Sequence, residues 1–280
     1  MKFKLISVSP AGYDLASHNL IASHFGLDDA AVKDKLGDLD LSEVKPPSLV
    51  RLFGESGEEA VAWLRGKGQV SSDASVIGYA DAVIIQENES PIAISVLPQA
   101  IQASLAIQNI RIEFDGAGLI VGAVGLARAI AASLAKLGLK RIFIVDPDDQ
   151  ATKNLVASLS RRLVGIQFEA LSRARLTQIP AEASVAVNLV EFFDDSILEE
   201  SILEDVSYMN FLRPGGVWID WTGASGDRGF ADEIANAGVQ VFDPLNIRRR
   251  RDALLVSKLT RHRAEDVYAG LADSPVSLPD

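Results

Sequence analysis

The run Leu119-Ile120-Val121-Gly122-Ala123-Val124-Gly125-Leu126-Ala127-Arg128-Ala129 constrains this chain more than any other stretch. Its apolar start, glycine break and Ala/Leu-rich continuation read as a strand, a tight corner and a helix. A dinucleotide-binding βαβ unit opens this way. The first Gly makes the turn, the second lets a pyrophosphate approach the backbone, and a third small residue lets helix pack on strand. Gly122 and Ala127 fill the first and third roles, with Ala123 and Gly125 in the corner between them. Val124 holds the second position, where its branched side chain is expected to crowd a pyrophosphate. The sequence thus predicts a nucleotide-binding fold with a damaged phosphate cradle.

Strand and helix patterns alternate along the rest of the chain, which predicts an α/β protein. Early strands are read at Phe3–Val8, Val76–Gln86 and Ile92–Val96, with helices from Asp14 to Gly26 and from Pro98 to Ile107. Asp28 to Pro47 is acidic and poorly periodic. The second half is cleaner, with strands at Gly118–Gly122, Arg141–Asp146, Ile166–Leu171, Ala183–Leu189, Val217–Trp221 and Val239–Phe242. Helices are read between them at Gly125–Leu137, Asp149–Leu163, Ser196–Phe211 and Gly229–Ala237, and an amphipathic region follows from Leu245 to Leu271. The expected organisation is an N-terminal α/β domain over 1–108 and a Rossmann-like, doubly wound parallel-sheet domain over 109–244. A helical region over 245–280 is expected to pack back on the first domain, and a cleft is expected between the two domains.

Composition removes several classes of function. A net charge of −11 argues against nucleic-acid binding, which needs a basic footprint, and against docking on an anionic membrane. The chain has no cysteine, so disulfides, thiolate metal sites and a Cys nucleophile are excluded, which fits a cytoplasmic protein. His18, His24 and His262 lack metal-ligand spacing, so no metal is expected. Arg128 and Lys136 interrupt the apolar stretch from Ala117 to Leu139, which therefore does not read as a membrane span. The partner expected is a small molecule, and a homodimer is compatible with the sequence.

The corner resembles that of the shikimate dehydrogenase family, roughly Gly-Ala-Gly-Gly-Ala-Ala-Arg-Ala. Gly122 to Ala129 match it except at Val124 and Leu126. Asn188 in Ala186-Val187-Asn188-Leu189 stands where the family closes a Rossmann strand with Asn. Arg213 to Asp220 resembles its Pro-Gly, strand, Asp segment, and Asp232 to Phe242 its returning helix and strand. Fainter likenesses are Ser17-His18-Asn19, Glu59-Ala60-Val61 and Ala80-Asp81-Ala82-Val83. The resemblance implies a substrate-type N-terminal domain and a cofactor domain.

It also implies a Lys and an Asp that handle the proton of the oxidised hydroxyl. Neither is found here. Glu58 falls at the Lys position, and the Asp position falls in Ser95-Val96-Leu97-Pro98, which holds no acid. The Ser pair that holds a substrate carboxylate falls in Ala11-Gly12-Tyr13-Asp14, which has no Ser. Lys67, within Gly66-Lys67-Gly68, reads either as a displaced amine or as a solvated turn residue.

NADP-dependent members carry Asn-Arg-Thr where this chain has Val145-Asp146-Pro147-Asp148-Asp149. Carboxylates there oppose a 2′-phosphate, whereas an Asp at a strand end accepts ribose hydroxyls. NAD is therefore the compatible cofactor and NADP is disfavoured. Asp148 and Asp149 also read as caps of the next helix. Arg248-Arg249-Arg250-Arg251 reads as a solvated basic face or as an anion clamp, with Arg248 and Arg251 as its candidates, since helix geometry lets at most two face one site. The function expected is a shikimate dehydrogenase-like protein that binds a small ligand with little or no shikimate oxidation. The alternative is an NAD-dependent oxidoreductase on another small hydroxy or carboxylate substrate.

Overall fold

The computed structural model describes residues 3–8, 15–27, 30–113, 115–172, 175, 182–189, 211–221, 234, 236–242 and 244–272. The chain divides into two compact units, Met1–Ser104 with Leu245–Asp280, and Leu105–Pro244.

The first unit is built on a mixed six-stranded sheet of β1 (Lys4–Val8), β2 (Ala30–Lys33), β3 (Ser48–Leu52), β4 (Gln69–Val70), β5 (Ala82–Ile85) and β6 (Ile92–Ile94). Their order is β2-β1-β3-β5-β6-β4, with β5 antiparallel to both β3 and β6 and the other pairs parallel. Helices α1 (Leu15–Phe25), α2 (Ser56–Leu64), α3 (Ser72–Ile77) and α4 (Leu97–Ile107) accompany these strands. The strand period of two sorts their side chains between two cores. Ile6, Val8, Val50, Leu52, Val83 and Ile85 join Ala60, Val61 and Leu64 of α2 on one face. Leu5, Leu49, Ala82 and Ile84 join the C-terminal helices α7 (Pro244–Thr260) and α8 (Ala264–Ala272) on the other.

The second unit is an all-parallel sheet of β7 (Ala117–Val121), β8 (Arg141–Val145), β9 (Gln167–Leu171), β10 (Ala183–Asn188), β11 (Leu212–Asp220) and β12 (Gln240–Phe242), ordered β12-β11-β10-β7-β8-β9. β7 is buried along its whole length, as a strand covered on both faces must be. Helix α5 (Leu126–Lys136) lays Ala127, Ala129 and Ala131 into the interior, small residues that let its axis approach the strands, and buries Ile130 beside them. Helix α6 (Asp149–Arg162) starts at Asp148, whose carboxylate accepts the Gln150 and Ala151 amides, and ends on Arg161 and Arg162. The chain moves outward from β7 through β8 to β9, then crosses back to β10 on the other side of β7. The topological switch point, where open α/β sheets form their ligand crevice, lies between the ends of β7 and β10.

Two α/β units, the second doubly wound, are the fold class that the sequence predicts. The details depart in places. Val76–Gln86 is a helix end, a left-handed Gly78 cap and only then β5, because Ser71 caps α3 and Gly78 terminates it. Strands β2, β3 and β4 are additions to the sequence reading, as is helix α2. The C-terminal region is two helices, parted at Arg261 with φ 63°. The expected helix at Ser196–Phe211 lies outside the described residues except for Phe211, and so do most of Gly229–Ala237 and all of Ala11 to Asp14.

Candidate functional site

In the second unit the polypeptide brings five of the sequence-predicted residues together at the carboxyl ends of β7 and β8. Gly122 turns the chain with φ 108°, a value that favours glycine, and its amide donates to the Val145 carbonyl at 2.8 Å. Ala123 follows, its N–H donating to Asp146 Oδ2 at 2.7 Å. The other oxygen of Asp146 accepts the Asp148 amide at 2.8 Å, so this carboxylate ties the corner to the end of β8. Gly125 caps α5 without a side-chain partner. Val124 is 45% exposed, an apolar side chain left largely outside the core. A helix N-terminus, a glycine corner and a strand-end carboxylate thus lie side by side at this end of the sheet.

Asn188 ends β10, beside Val121 of β7 in register. It is fully buried, and its side-chain amide donates to Asp220 Oδ1 at 3.0 Å on the neighbouring strand. Leu189 N donates to the Val121 carbonyl at 2.8 Å, closing the sheet at the switch point. Asn188 thus braces the strand ends that flank the corner.

The first unit holds a polar cluster that the sequence reading missed. Ser7 of β1 pairs in register with Arg51 of β3. Two positions along from Leu5 and Leu49, they share that face of the sheet and so face α7. There the Arg51 guanidinium meets Asp252 through two bonds, Nε to Oδ1 at 3.2 Å and Nη2 to Oδ2 at 2.9 Å. Nη1 donates to Ser7 Oγ at 3.2 Å, and Ser7 Oγ lies 2.8 Å from His18 Nδ1 of α1. Arg251 adds a second guanidinium, with Nη2 3.1 Å from Asp252 Oδ1. Phe53 offers its ring to both cations, at 5.0 Å from Arg51 and 4.7 Å from Arg251. Arg51, Arg251, Asp252 and His18 are all buried.

Asp81 stands just before β5. Its Oδ2 accepts from Ser95 Oγ at 3.0 Å, Val96 N at 2.6 Å and Leu97 N at 2.9 Å, so it caps the entry to α4. The segment that has no acid of its own therefore has a carboxylate bound to its amides. Oδ1 of Asp81 is buried without a hydrogen-bond partner. Burial pushes this carboxyl above its ordinary range, against the opposing pull of Arg251 and the three donors.

The arginine run is divided by the helix. Arg251 points into the cluster, Arg250 lies over Tyr268 at 4.1 Å, and Arg248 and Arg249 are half-buried. Of the four, only Arg251 is buried, and Arg248, Arg249 and Arg250 keep part of their surface in solvent. Glu58 is half-buried on α2. Lys67 lies at the other end of the sheet from Arg51, with Nζ 4.9 Å from the centroid of Trp63. Among the described residues no group of three His, Cys, Asp or Glu could hold a metal, and no helix is long and apolar enough to cross a membrane.

No family model matches this sequence, and no curated relative does either. Solved structures match along the whole chain. Shikimate 5-dehydrogenase from Listeria monocytogenes, in complex with shikimate and NAD, superposes with a TM-score of 0.72 at 15% identity, covering 96% of each chain. Quinate dehydrogenase from Corynebacterium glutamicum, in complex with NAD, gives 0.72 at 12% identity over 98% of this chain and 99% of that one. The 5-ketofructose reductase of Gluconobacter sp. strain CHM43 gives 0.66 at 18% identity, with 98% of each covered. The chain has the fold of these dehydrogenases.

Proposed function

We propose that this protein binds a small molecule on a shikimate dehydrogenase-like frame. Its second unit takes an NAD-type dinucleotide weakly, and the chain has little or no capacity to oxidise shikimate. One observation carries the reading: Asp146 closes β8 with a carboxylate fixed at the glycine corner, where a 2′-phosphate would be repelled and ribose hydroxyls accepted. When bound, such a cofactor supplies hydride exchange. Asp146 would hold its ribose, and the amides at the start of α5 would meet its phosphates, displaced by Val124. Segment 95–98 brings no acid, the family's Lys position is Glu58, and the nearest carboxylate, Asp81, already binds Ser95, Val96 and Leu97. General acid–base groups typically contribute about 10²–10⁴-fold, and their loss is the reason for expecting no turnover.

Calorimetric titration with NAD, NADP and AMP, together with an assay of shikimate with either dinucleotide, tests both halves. The expected result is weak NAD binding, weaker NADP binding and no turnover. Robust NADP-dependent oxidation of shikimate would overturn the reading. A second reading, an NAD-linked oxidoreductase acting on another small hydroxy or carboxylate substrate, is favoured by the 5-ketofructose reductase among the structural matches.

A further inference from the structure

A concavity of the first unit lies where β3 begins and β5 ends, away from the Arg51 cluster. It encloses about 950 Å³. Leu36, Leu41 and Ile85 are buried beneath it, and Trp63 forms a half-buried wall. Among the described residues, its rim carries three exposed carboxylates, Asp40, Glu59 and Glu89, against one cation, Lys67.

Lys67 shows what this surface attracts. Its tetramethylene stem ends in an ammonium 4.9 Å from the Trp63 ring centroid, the arrangement in which an aromatic face holds a cation. Asp40 is held below the ordinary carboxylate range by the hydroxyl and amide of Ser42, with the charge of Lys67 adding to the effect. The chain's own side chain is thus a primary alkylamine resting on tryptophan beside a carboxylate.

We infer that this groove binds a linear aliphatic polyamine and that Lys67 is its built-in competitor. Three features select that class. The carboxylates are spread around the rim, and among the described residues no three acidic or imidazole groups converge as a metal ion requires. The surface between them is leucine, isoleucine and tryptophan, which suits methylene spacers. The rim's excess of negative charge is met by a ligand with several ammonium groups. This inference is independent of dinucleotide binding.

Trp63 supplies the readout. The chain has three tryptophans, and Trp218 and Trp221 are 0% and 2% exposed, so a polyamine at the surface changes the emission of Trp63 alone. The experiment titrates the full chain with spermidine at fixed ionic strength. It does the same for Lys67→Ala, for Lys140→Ala as an exposed lysine elsewhere, and for the double variant Glu59→Gln with Glu89→Gln. The expected result is saturable binding that weakens in the double variant. Lys67→Ala should bind roughly 3- to 30-fold more tightly, the span of one cation–π contact, because the ring is freed. Lys140→Ala should bind nearly as the unaltered chain does. An absence of saturable response would overturn the inference. So would equal tightening by Lys67→Ala and Lys140→Ala, since that would mean general attraction to an acidic protein.

Discussion

The two units solve opposite electrostatic problems. At the glycine corner the polar groups are backbone amides and one carboxylate at the open end of a parallel sheet, with Val124 and Asp148 reaching solvent. In the Arg51 cluster the polar groups are side chains, and they are turned on one another in the interior: two guanidiniums, one shared carboxylate, a hydroxyl, an imidazole and an aromatic face. Groups at the open end of a sheet can wait for a ligand because water reaches them meanwhile. Buried charges have no such reserve, and each must find its partner within the fold. The corner is therefore expected to answer to ligands, and the cluster to answer to stability and pH.

The sharpest way to break this contrast is to remove one member of the Arg51–Asp252 pair, whose side chains are 0% and 1% exposed. Asp252→Ala leaves two guanidiniums facing each other without their common carboxylate. Arg51→Ala strands Asp252 with Arg251 and leaves a cavity beside Phe53. Each is expected to cost about 3–5 kcal/mol, the usual penalty for breaking a buried ion pair by removing one partner, and chemical denaturation measures it. Replacing both by apolar residues of similar volume, Arg51→Met with Asp252→Leu, is expected to recover most of the loss. A single variant that unfolds at the original denaturant concentration would show that water reaches the cluster.

Gly122→Ala ranks next. At φ 108° a side chain is strained whatever space surrounds it, and the expected cost is about 1–3 kcal/mol. Its effect should stay local to the second unit. Unchanged stability would mean that the turn relaxes to another conformation.

What was legible in the sequence follows the same division. The second unit could be read because its signals are local. Leu119 to Ala129 carries strand, corner and helix within one window, and Asp148 stands directly before the helix it caps. The first unit was read poorly because its decisive pairings are distant: Arg51 and Asp252 are separated by 201 positions. No periodicity connects an arginine in one strand with an aspartate in the last long helix. One signal was present. Ser48-Leu49-Val50-Arg51-Leu52 places a charge inside an otherwise apolar run, and such a charge needs a partner. The same run also hid β3, since a short apolar segment with one charge lacks the clean alternation of a half-buried strand. The arginine run was legible as charge but not as a set of different environments, because a helix distributes consecutive residues around its axis.

Asp81 sharpens the contrast by pH. Its carboxyl is raised in the folded chain by burial, so between the unfolded value of about 3.9 and the higher folded value the native state binds the extra proton. Stability from this group is fully present below the unfolded value and is lost as pH rises through the folded one. Asp81→Asn removes that dependence while its amide oxygen can still accept from Ser95, Val96 and Leu97. Thermal unfolding of both chains from pH 4 to pH 8 should show the variant gaining on the unaltered protein as pH rises. A difference that stays constant with pH would mean that Arg251 keeps Asp81 ionised throughout.

The smallest expected effect on folding, and the most informative for function, is that of Val124→Gly. Val124 is 45% exposed, so removing its side chain forfeits little buried area, and the remaining cost is the added freedom of glycine in the unfolded chain. The loss should stay within about 1 kcal/mol, since exposed positions away from caps and cores rarely exceed that. Gly122 still makes the turn and Ala127, fully buried, still seats α5 against the sheet. Affinity for NAD should respond far more than folding does. Crowding by a branched side chain typically costs about 1–3 kcal/mol, so relieving it should tighten binding about tenfold or more. The gain should be larger for NAD than for NADP, because Asp146 still opposes a 2′-phosphate. Calorimetry of both chains at one salt concentration decides the matter. Equal micromolar affinities before and after the substitution would place Val124 off the phosphate path. The intact corner would then favour a working NAD-linked enzyme with its proton-handling groups elsewhere in the chain.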